Sequence, residues 1–358
     1  MLFGYPLAAV QDNWFHDTVV LTLTEIHKRV DAGEPLPAWP DILPLPAREK
    51  LKNRHGLKDR FFQYSKAYTK LGKKNRARIS QCLVEQNRIE ELLNNTAECE
   101  TLQNLPKSVQ VHIANLFDFA FSLLSPLKIR DEQYRLILVG NTSQICPFCG
   151  IEYFDSLGAP REDLDHYLLQ SSYPFAGVNL QNLAPMGEKC NKKYKKAQDI
   201  LRGPFGRRVA FYPFGAGLTR VSLVASQPFH GEDGRLPAWE VTFLPNSPQC
   251  DTWDEVFQIR TRYRRDVLDV HYDEWLRSFS AWCASTNFDA AQEKAVLVQE
   301  GLTRYLNLLS TMRLSGREFL RVIVFEMFIH HCVEGNQRLL DFLHDLMIPK
   351  NLSSPLAA

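Results

Sequence analysis

The stretch between Cys146 and Lys196 holds an unusual set of chemically active residues. It reads Cys146-Pro-Phe-Cys149-Gly, then Asp163-Leu-Asp165-His166, then Asn182-Leu-Ala-Pro, and finally Cys190-Asn191-Lys-Lys-Tyr-Lys-Lys. Packing a hydrophobic core does not require this set of side chains. A general base, a hard-metal site, a metal knuckle and phosphate-binding cations do require it, so the stretch predicts metal-dependent cleavage of nucleic acid.

The composition is that of an ordinary globular protein. Of 358 residues, 45% are hydrophobic and 23% are charged, and the net charge is +1, so any binding to nucleic acid must come from local patches. No apolar run is long enough to span a membrane, and Met-Leu-Phe-Gly-Tyr-Pro at the start is not typical of a secretory signal. Eight cysteines are too few for a disulfide scaffold. We therefore expect a cytoplasmic protein that makes no use of a membrane.

Hydrophobic periodicity divides the rest of the chain into helices and short strands. The predicted helices are 17–30, 47–71, 77–93, 107–124, 267–282, 289–308 and 317–332, and the predicted strands are 208–211, 218–224 and 239–244. These patterns predict a helical N-terminal domain (1–138), a motif-bearing module (139–204) and a mixed, mainly helical C-terminal domain (205–358).

The cysteines predict a structural zinc site that lacks one ligand. Cys146 and Cys149 have the spacing of a metal knuckle, and Cys190 supplies a third thiolate. A second Cys-x-x-Cys pair would place its other cysteine at position 187, which is a glycine. Either a fourth ligand comes from elsewhere, or the turn is a vestigial knuckle held by packing.

Asp165 and His166 are the candidate catalytic pair. An imidazole has a pKa near neutrality, which suits it to take a proton from water that attacks a phosphodiester. On a strand the adjacent carboxylate lies on the opposite face, where it can hold a divalent cation. The alternative is an ordinary surface Asp-His dipeptide.

Two asparagines extend this site. The carboxamide oxygen of Asn191 suits magnesium or manganese, although asparagine is also a frequent helix N-cap. Asn182 can brace the loop that carries His166, or it can be a turn residue.

A cluster of lysines at the start of the predicted motif helix predicts phosphate contacts, because ammonium groups and a helix N-terminus both favour anions. Its members are Lys189, Lys192, Lys193, Lys195 and Lys196.

The order Cys-x-x-Cys, Asp-His, Asn-Leu-x-Pro, Cys-Asn resembles the HNH endonucleases, the ββα-metal family, over about residues 140–200. The resemblance implies an α+β, mainly helical multidomain chain with a central ββα-metal module, in which two antiparallel strands precede a helix bearing Asn191. It also implies that His166 is the general base, that Asp165 and Asn191 hold one catalytic metal, and that Asn182 braces the loop. Gly187 departs from the family pattern at the zinc site, and Asn191 stands where many members have histidine. This last difference favours magnesium or manganese at the catalytic centre.

HNH modules in larger chains resemble effectors of bacterial anti-phage systems, in which an HNH subunit is paired with an ATPase. A DNA substrate and an ATPase or other regulatory partner are therefore expected. Two alternatives are a zinc-knuckle nucleic-acid-binding or scaffold protein without turnover, and a site-specific restriction or homing nuclease.

Overall fold

The computed structural model of the chain describes residues 1–141, 144–156, 164–215, 219–229, 236–289, 291–311 and 317–348. It is mostly helical, with small antiparallel sheets of two strands, as expected for an α+β protein. The helices are α1 Trp14–Ala32, α2 Leu45–Leu51, α3 His55–Thr69, α4 Lys73–Glu85, α5 Ile89–Leu93, α6 Lys107–Leu123, α7 Ile129–Gly140, α8 Pro248–Phe257, α9 Ile259–Arg262, α10 Asp269–Ala284, α11 Lys294–Ser310, α12 Glu318–Val333 and α13 Gln337–Met347. The strands are β1 Leu164–His166, β2 Leu183–Pro185, β3 Arg202–Gly203, β4 Gly206–Arg207, β5 Arg220–Ser222 and β6 Thr242–Leu244.

The chain folds into two compact units. The first comprises Met1–Phe148, Phe154–Leu218 and Pro248–Phe257, and the second comprises Cys149–Tyr153, Thr219–Ser247 and Gln258–Ala358. Helices α1 to α8 and strands β1 to β4 belong to the first unit, so most of the motif-bearing stretch lies there.

His27 is a buried polar residue of the first unit, and both of its ring nitrogens have hydrogen-bond partners. The ring of His27 on α1 stacks on Tyr68 with centroids 4.2 Å apart. Its Nε2 lies 2.6 Å from the hydroxyl of Tyr64, and its Nδ1 lies 2.9 Å from the hydroxyl of Ser80. A buried ring nitrogen that lacks a hydrogen-bond partner would lower the stability of the fold, so the His27 contacts favour one arrangement of α1, α3 and α4.

Strands β1 and β2 position the motif residues. They pair antiparallel, with Asp165 opposite Ala184 and His166 opposite Leu183. The buried Gln133 on α7 donates from Nε2 to the carbonyls of Leu180 (3.2 Å) and Leu183 (3.0 Å). This side chain fixes the start of β2 against the helical part of the unit.

The second unit is built around aromatic side chains from three helices. The rings of Phe279 on α10, Tyr305 on α11 and Phe325 on α12 meet with centroid separations of 4.9 to 5.3 Å. Aromatic pairs at these separations, tilted or edge to face, add to the free energy gained by burying the rings.

Two predicted helices are each divided in the structure. The predicted helix 47–71 is α2 and α3, and the Nε1 of Trp39 donates to the carbonyl of Lys52 just after α2. The predicted helix 77–93 is α4 and α5. Between them the buried Gln86 donates to the carbonyl of Glu100 and accepts from the backbone N–H of Phe175. In both places a tertiary hydrogen bond accompanies the break in the helical pattern.

The predicted strand 208–211 is wrong. Residues in it bond to non-strand partners, since the N–H of Arg208 donates to Leu201 and that of Ala210 donates to Leu93. Sequence periodicity also did not predict α7. Strands β5 and β6 fall inside the predicted runs 218–224 and 239–244, although Leu218 itself lies outside the described residues, as does Asp163 of the quoted motif.

Candidate active site and metal centre

His166 is the last residue of β1 and its ring is fixed by one backbone contact. Its Nε2 lies 2.9 Å from the carbonyl oxygen of Gly177. Because a carbonyl can only accept, this contact assigns the proton of a neutral imidazole to Nε2 and leaves the lone pair on Nδ1. The ring of Phe121 packs against the imidazole with centroids 4.4 Å apart.

The surroundings of His166 keep it neutral. Its pKa is lowered to about 4, mainly by burial and to a smaller extent by the positive charges of Lys195 and Arg130, against the opposing effect of the Gly177 hydrogen bond. His166 is nevertheless only half-buried. At neutral pH the ring is therefore unprotonated and has some access to solvent. A pKa of about 4 makes it a weaker base than the near-neutral imidazole that the sequence predicted.

Asp165 faces a buried cation. The Nζ of Lys195 lies 2.6 Å from Oδ2 of Asp165 and donates to the carbonyl of His166 at 2.9 Å. The two groups are not aligned as a hydrogen bond, so this is a charge contact. The Lys195 side chain is 0% exposed and that of Asp165 is 14% exposed.

Lys195 therefore differs from the other lysines of the predicted phosphate-binding cluster. Its ammonium group lies inside the protein, where it cannot contact a phosphate on the surface. The other four members, Lys189, Lys192, Lys193 and Lys196, are exposed. Lys192 lies 3.6 Å from Glu188, a solvent-exposed pair of small energetic weight.

Asn182 is fully buried at the far end of the loop that begins at His166. Its Oδ1 accepts from the N–H of Leu168 (2.6 Å), and its Nδ2 donates to the carbonyls of Leu168 (3.1 Å) and Ala176 (3.2 Å). The carbonyl of Ala176 precedes Gly177, whose own carbonyl orients His166. The side chain thus holds both ends of the loop.

Asn191 lies in a single π-helical turn, Lys189–Lys195. The N-cap of that turn is Glu188, so Asn191 is not a helix N-cap. The N–H of Lys196 donates to the carbonyl of Asn191 at 2.8 Å, the i→i+5 bond of a π-helix. Asn191 is half-buried and lies four residues before Lys195, whose side chain contacts Asp165 on β1.

The sulfur atoms of Cys146, Cys149 and Cys190 all lie within 4.8 Å of one another, and all three residues are buried. The Cys146 and Cys190 sulfurs are 3.8 Å apart, far too long for a disulfide bond. Tetrahedral ligands at a zinc–sulfur distance of about 2.3 Å are separated by about 3.8 Å. The cluster could therefore hold a metal ion.

Backbone amides support two of these sulfurs. The N–H of Gly187 donates to Cys146 at 3.4 Å, and that of Ile151 donates to Cys149 at the same distance. At position 187, where a second Cys-x-x-Cys pair would have its other cysteine, Gly187 thus contributes a backbone N–H instead of a thiolate. The neighbouring Phe148 is fixed by packing on Phe257 and by a hydrogen bond from Trp253 Nε1 to its carbonyl.

Sequence reasoning missed the roles of Lys195 and Gly177. Lys195 was visible only as one of several lysines, and its position in a π-helical turn, rather than an α-helix, carries no signal in the spacing. Gly177 acts through its carbonyl oxygen, which no side-chain pattern reports.

Among the described residues, no helix is long and apolar enough to cross a membrane.

Comparison of the chain with protein-family models, with curated proteins and with solved structures finds no match.

Proposed function

We propose that the chain is a metal-dependent HNH endonuclease that hydrolyses DNA phosphodiester bonds. The observation that carries the proposal is the state of His166: a neutral imidazole at the end of β1, held through Nε2 by the Gly177 carbonyl, with Nδ1 left as the acceptor. A general base needs this combination of a fixed ring and an available lone pair.

In this mechanism Nδ1 of His166 takes a proton from the attacking water, and the products carry a 5′ phosphate and a 3′ hydroxyl. Asn182 keeps the loop, and hence the ring, in place. Asp165 and Asn191 would hold the divalent cation, and their hard oxygen donors fit magnesium or manganese. When bound, the cation supplies neutralisation of the phosphate and of the departing 3′ oxygen.

For the cysteine cluster we propose structural zinc. Three thiolates with a tetrahedral spacing match the preference of zinc for sulfur. The fourth ligand is open, since position 187 is a glycine. The ion would tie the turn at Cys146 to the π-helical turn at Cys190.

The exposed lysines 189, 192, 193 and 196 would contact the DNA backbone. By analogy with HNH subunits of anti-phage systems, we propose a cytoplasmic defence effector regulated by an ATPase or another protein partner. The cysteine cluster also supports a second candidate, a zinc-knuckle scaffold that binds nucleic acid without turnover. A restriction or homing nuclease would share the same catalytic residues.

The test is incubation of supercoiled plasmid with the purified protein in magnesium, manganese or EDTA. Wild type should nick or cut the plasmid with either metal and not with EDTA, and His166→Ala should lose this activity while still binding DNA. His55→Ala, an exposed histidine of the same unit, is the matched control and should cut normally. Equal cleavage by His166→Ala would refute the nuclease proposal. Discrete bands from mixed plasmids would indicate site specificity.

A further inference from the structure

A cavity of about 340 Å³ in the first unit lies apart from the residues of the proposed catalytic centre. Its volume is within the range of ligand-binding sites in proteins. The β3–β4 hairpin forms one wall, and Tyr173 and the segment from α5 to Cys99 contribute the others. The lining residues are Leu92, Glu98, Cys99, Tyr173, Leu201, Arg202, Gly203, Gly206 and Arg207.

Two guanidinium groups face this cavity without a carboxylate partner. Arg207 donates only to carbonyl oxygens: Nη1 to Leu201 at 2.9 Å and to Arg208 at 3.4 Å, and Nη2 to Leu92. In the described part of the chain, no ion pair involves Arg202 or Arg207. The nearby Asp199 is engaged elsewhere, since it accepts from the Tyr173 hydroxyl and from the Leu201 N–H.

A half-buried positive charge that is bonded only to neutral groups carries an uncompensated desolvation cost. For Arg207 this cost appears as a lowered pKa, caused first by burial. An anion in the cavity would offset it. Glu98, exposed at the rim, and the carboxylate of Asp199 behind Tyr173 oppose an anion, whereas the two arginines are the cationic groups of the lining that would contact it.

The cavity is suited to binding rather than to chemistry. Its thiol, Cys99, has a pKa raised to about 12 by burial, so it stays protonated and is a poor nucleophile. The Tyr173 hydroxyl is committed to Asp199.

The tip of the same hairpin presents an aromatic ring to solvent. Phe205 is 100% exposed, so burial in the fold does not explain it. It follows Pro204 and precedes Gly206, which has a φ of 118°, and the flanking residues are paired as Arg202 with Arg207 and Gly203 with Gly206. The short paired turn holds the ring beside the arginines.

We propose that the β3–β4 hairpin and the cavity behind it form a binding site for a single-stranded nucleic acid segment. A backbone phosphate lies between Arg202 and Arg207, and an unpaired base stacks on Phe205. Cationic grooves combined with aromatic platforms are the means by which proteins bind single strands. The hairpin follows the exposed Lys189, Lys192, Lys193 and Lys196 in the chain, and the same strand would continue from it toward the site of cleavage. In this last respect the inference rests on the proposed function.

The test measures binding of a fluorescein-labelled thymidine oligonucleotide by fluorescence anisotropy in EDTA, where no hydrolysis is expected. Phe205→Ala should weaken binding roughly 5- to 150-fold, the range for loss of one stacked base, and Phe205→Trp should retain it. Arg202→Gln should weaken binding and reduce the salt dependence. Because Phe205 and Arg202 are exposed, neither change should disturb the fold. Leu45→Ala, which removes another exposed apolar side chain (75% exposed) of the same unit, should bind as wild type.

Three results would overturn the inference: no binding by wild type, binding by Phe205→Ala within twofold of wild type, or an equal loss in Leu45→Ala. Its failure is separable from that of the nuclease proposal. Loss of binding in Phe205→Ala with no plasmid cleavage by wild type would leave a nucleic-acid site without the enzyme. Cleavage abolished by His166→Ala with unchanged binding in Phe205→Ala would leave the enzyme without this site.

Discussion

Replacing Asn182 tests the loop that orients His166. Asn182→Ala removes the hydrogen bonds to Leu168 N, Leu168 O and Ala176 O, all of which involve a fully buried side chain. At a net value of about 1 kcal/mol each, the unfolding free energy should fall by about 3 kcal/mol. Asn182→Asp keeps the acceptor but places a carboxylate against two carbonyl oxygens, so it should be at least as destabilising.

Hydrogen exchange followed by mass spectrometry gives a local measurement of the same change. The Leu168 amide donates to Asn182 Oδ1, so peptides covering 167–177 should lose protection in Asn182→Ala. Plasmid cleavage should fall in parallel because the Gly177 carbonyl is no longer held. Urea unfolding and exchange should be compared with Asn104→Ala, an exposed residue of the same unit, which should stay within about 0.5 kcal/mol of wild type. Unchanged stability and unchanged exchange in Asn182→Ala would refute the bracing role.

Three further predictions concern charge, metal and pH. Lys195→Met should lower the unfolding free energy by about 3–5 kcal/mol because it removes the cation that contacts the Asp165 carboxylate, and adding Asp165→Asn should restore part of that loss. If the effects of the two substitutions on the unfolding free energy simply add, the two charges do not interact. Purified wild type should release zinc to a chromogenic chelator after its thiols are modified. Cys190→Ser should contain less zinc than Cys283→Ser, whose sulfur lies outside the cluster, and equal zinc contents in these two variants would exclude the cysteine site. Burial lowers the pKa of His27 to about 4, so between pH 4 and pH 6.5 the folded protein binds fewer protons than the unfolded chain. The contribution of His27 to stability should therefore be full above pH 6.5 and should fall toward pH 4. If the urea midpoint of His27→Gln has the same pH dependence as that of wild type, this prediction is wrong.

Local sequence patterns predicted the parts of the fold that depend on local periodicity. The predicted helix 107–124 is α6, Lys107–Leu123, because its apolar residues form one continuous buried face. The break between α4 and α5 was not predictable in the same way, since it depends on Gln86 bonding to Glu100 and Phe175, contacts between residues distant in the chain.

The same distinction applies to the candidate site. Residue types and spacing predict a site at His166 and Asn182 and a cluster of three cysteines, and the structure brings the three sulfur atoms together. They did not predict that Lys195 turns inward, because nothing in a run of lysines separates a solvated ammonium from a buried one. Lys195 is the last residue of the π-helical turn, and its ammonium lies against Asp165 on β1.

The ammonium of Lys195 affects how the proposed enzyme would bind its divalent ion. Lys195 already joins β1 to the π-helical turn through Asp165, so the catalytic ion is not needed to hold these two elements together. A divalent ion arriving at Asp165 would share its carboxylate with that ammonium. The two positive charges would then repel each other. An incoming phosphate relieves this repulsion, so metal and substrate would bind cooperatively, and the enzyme would stay idle until both are present.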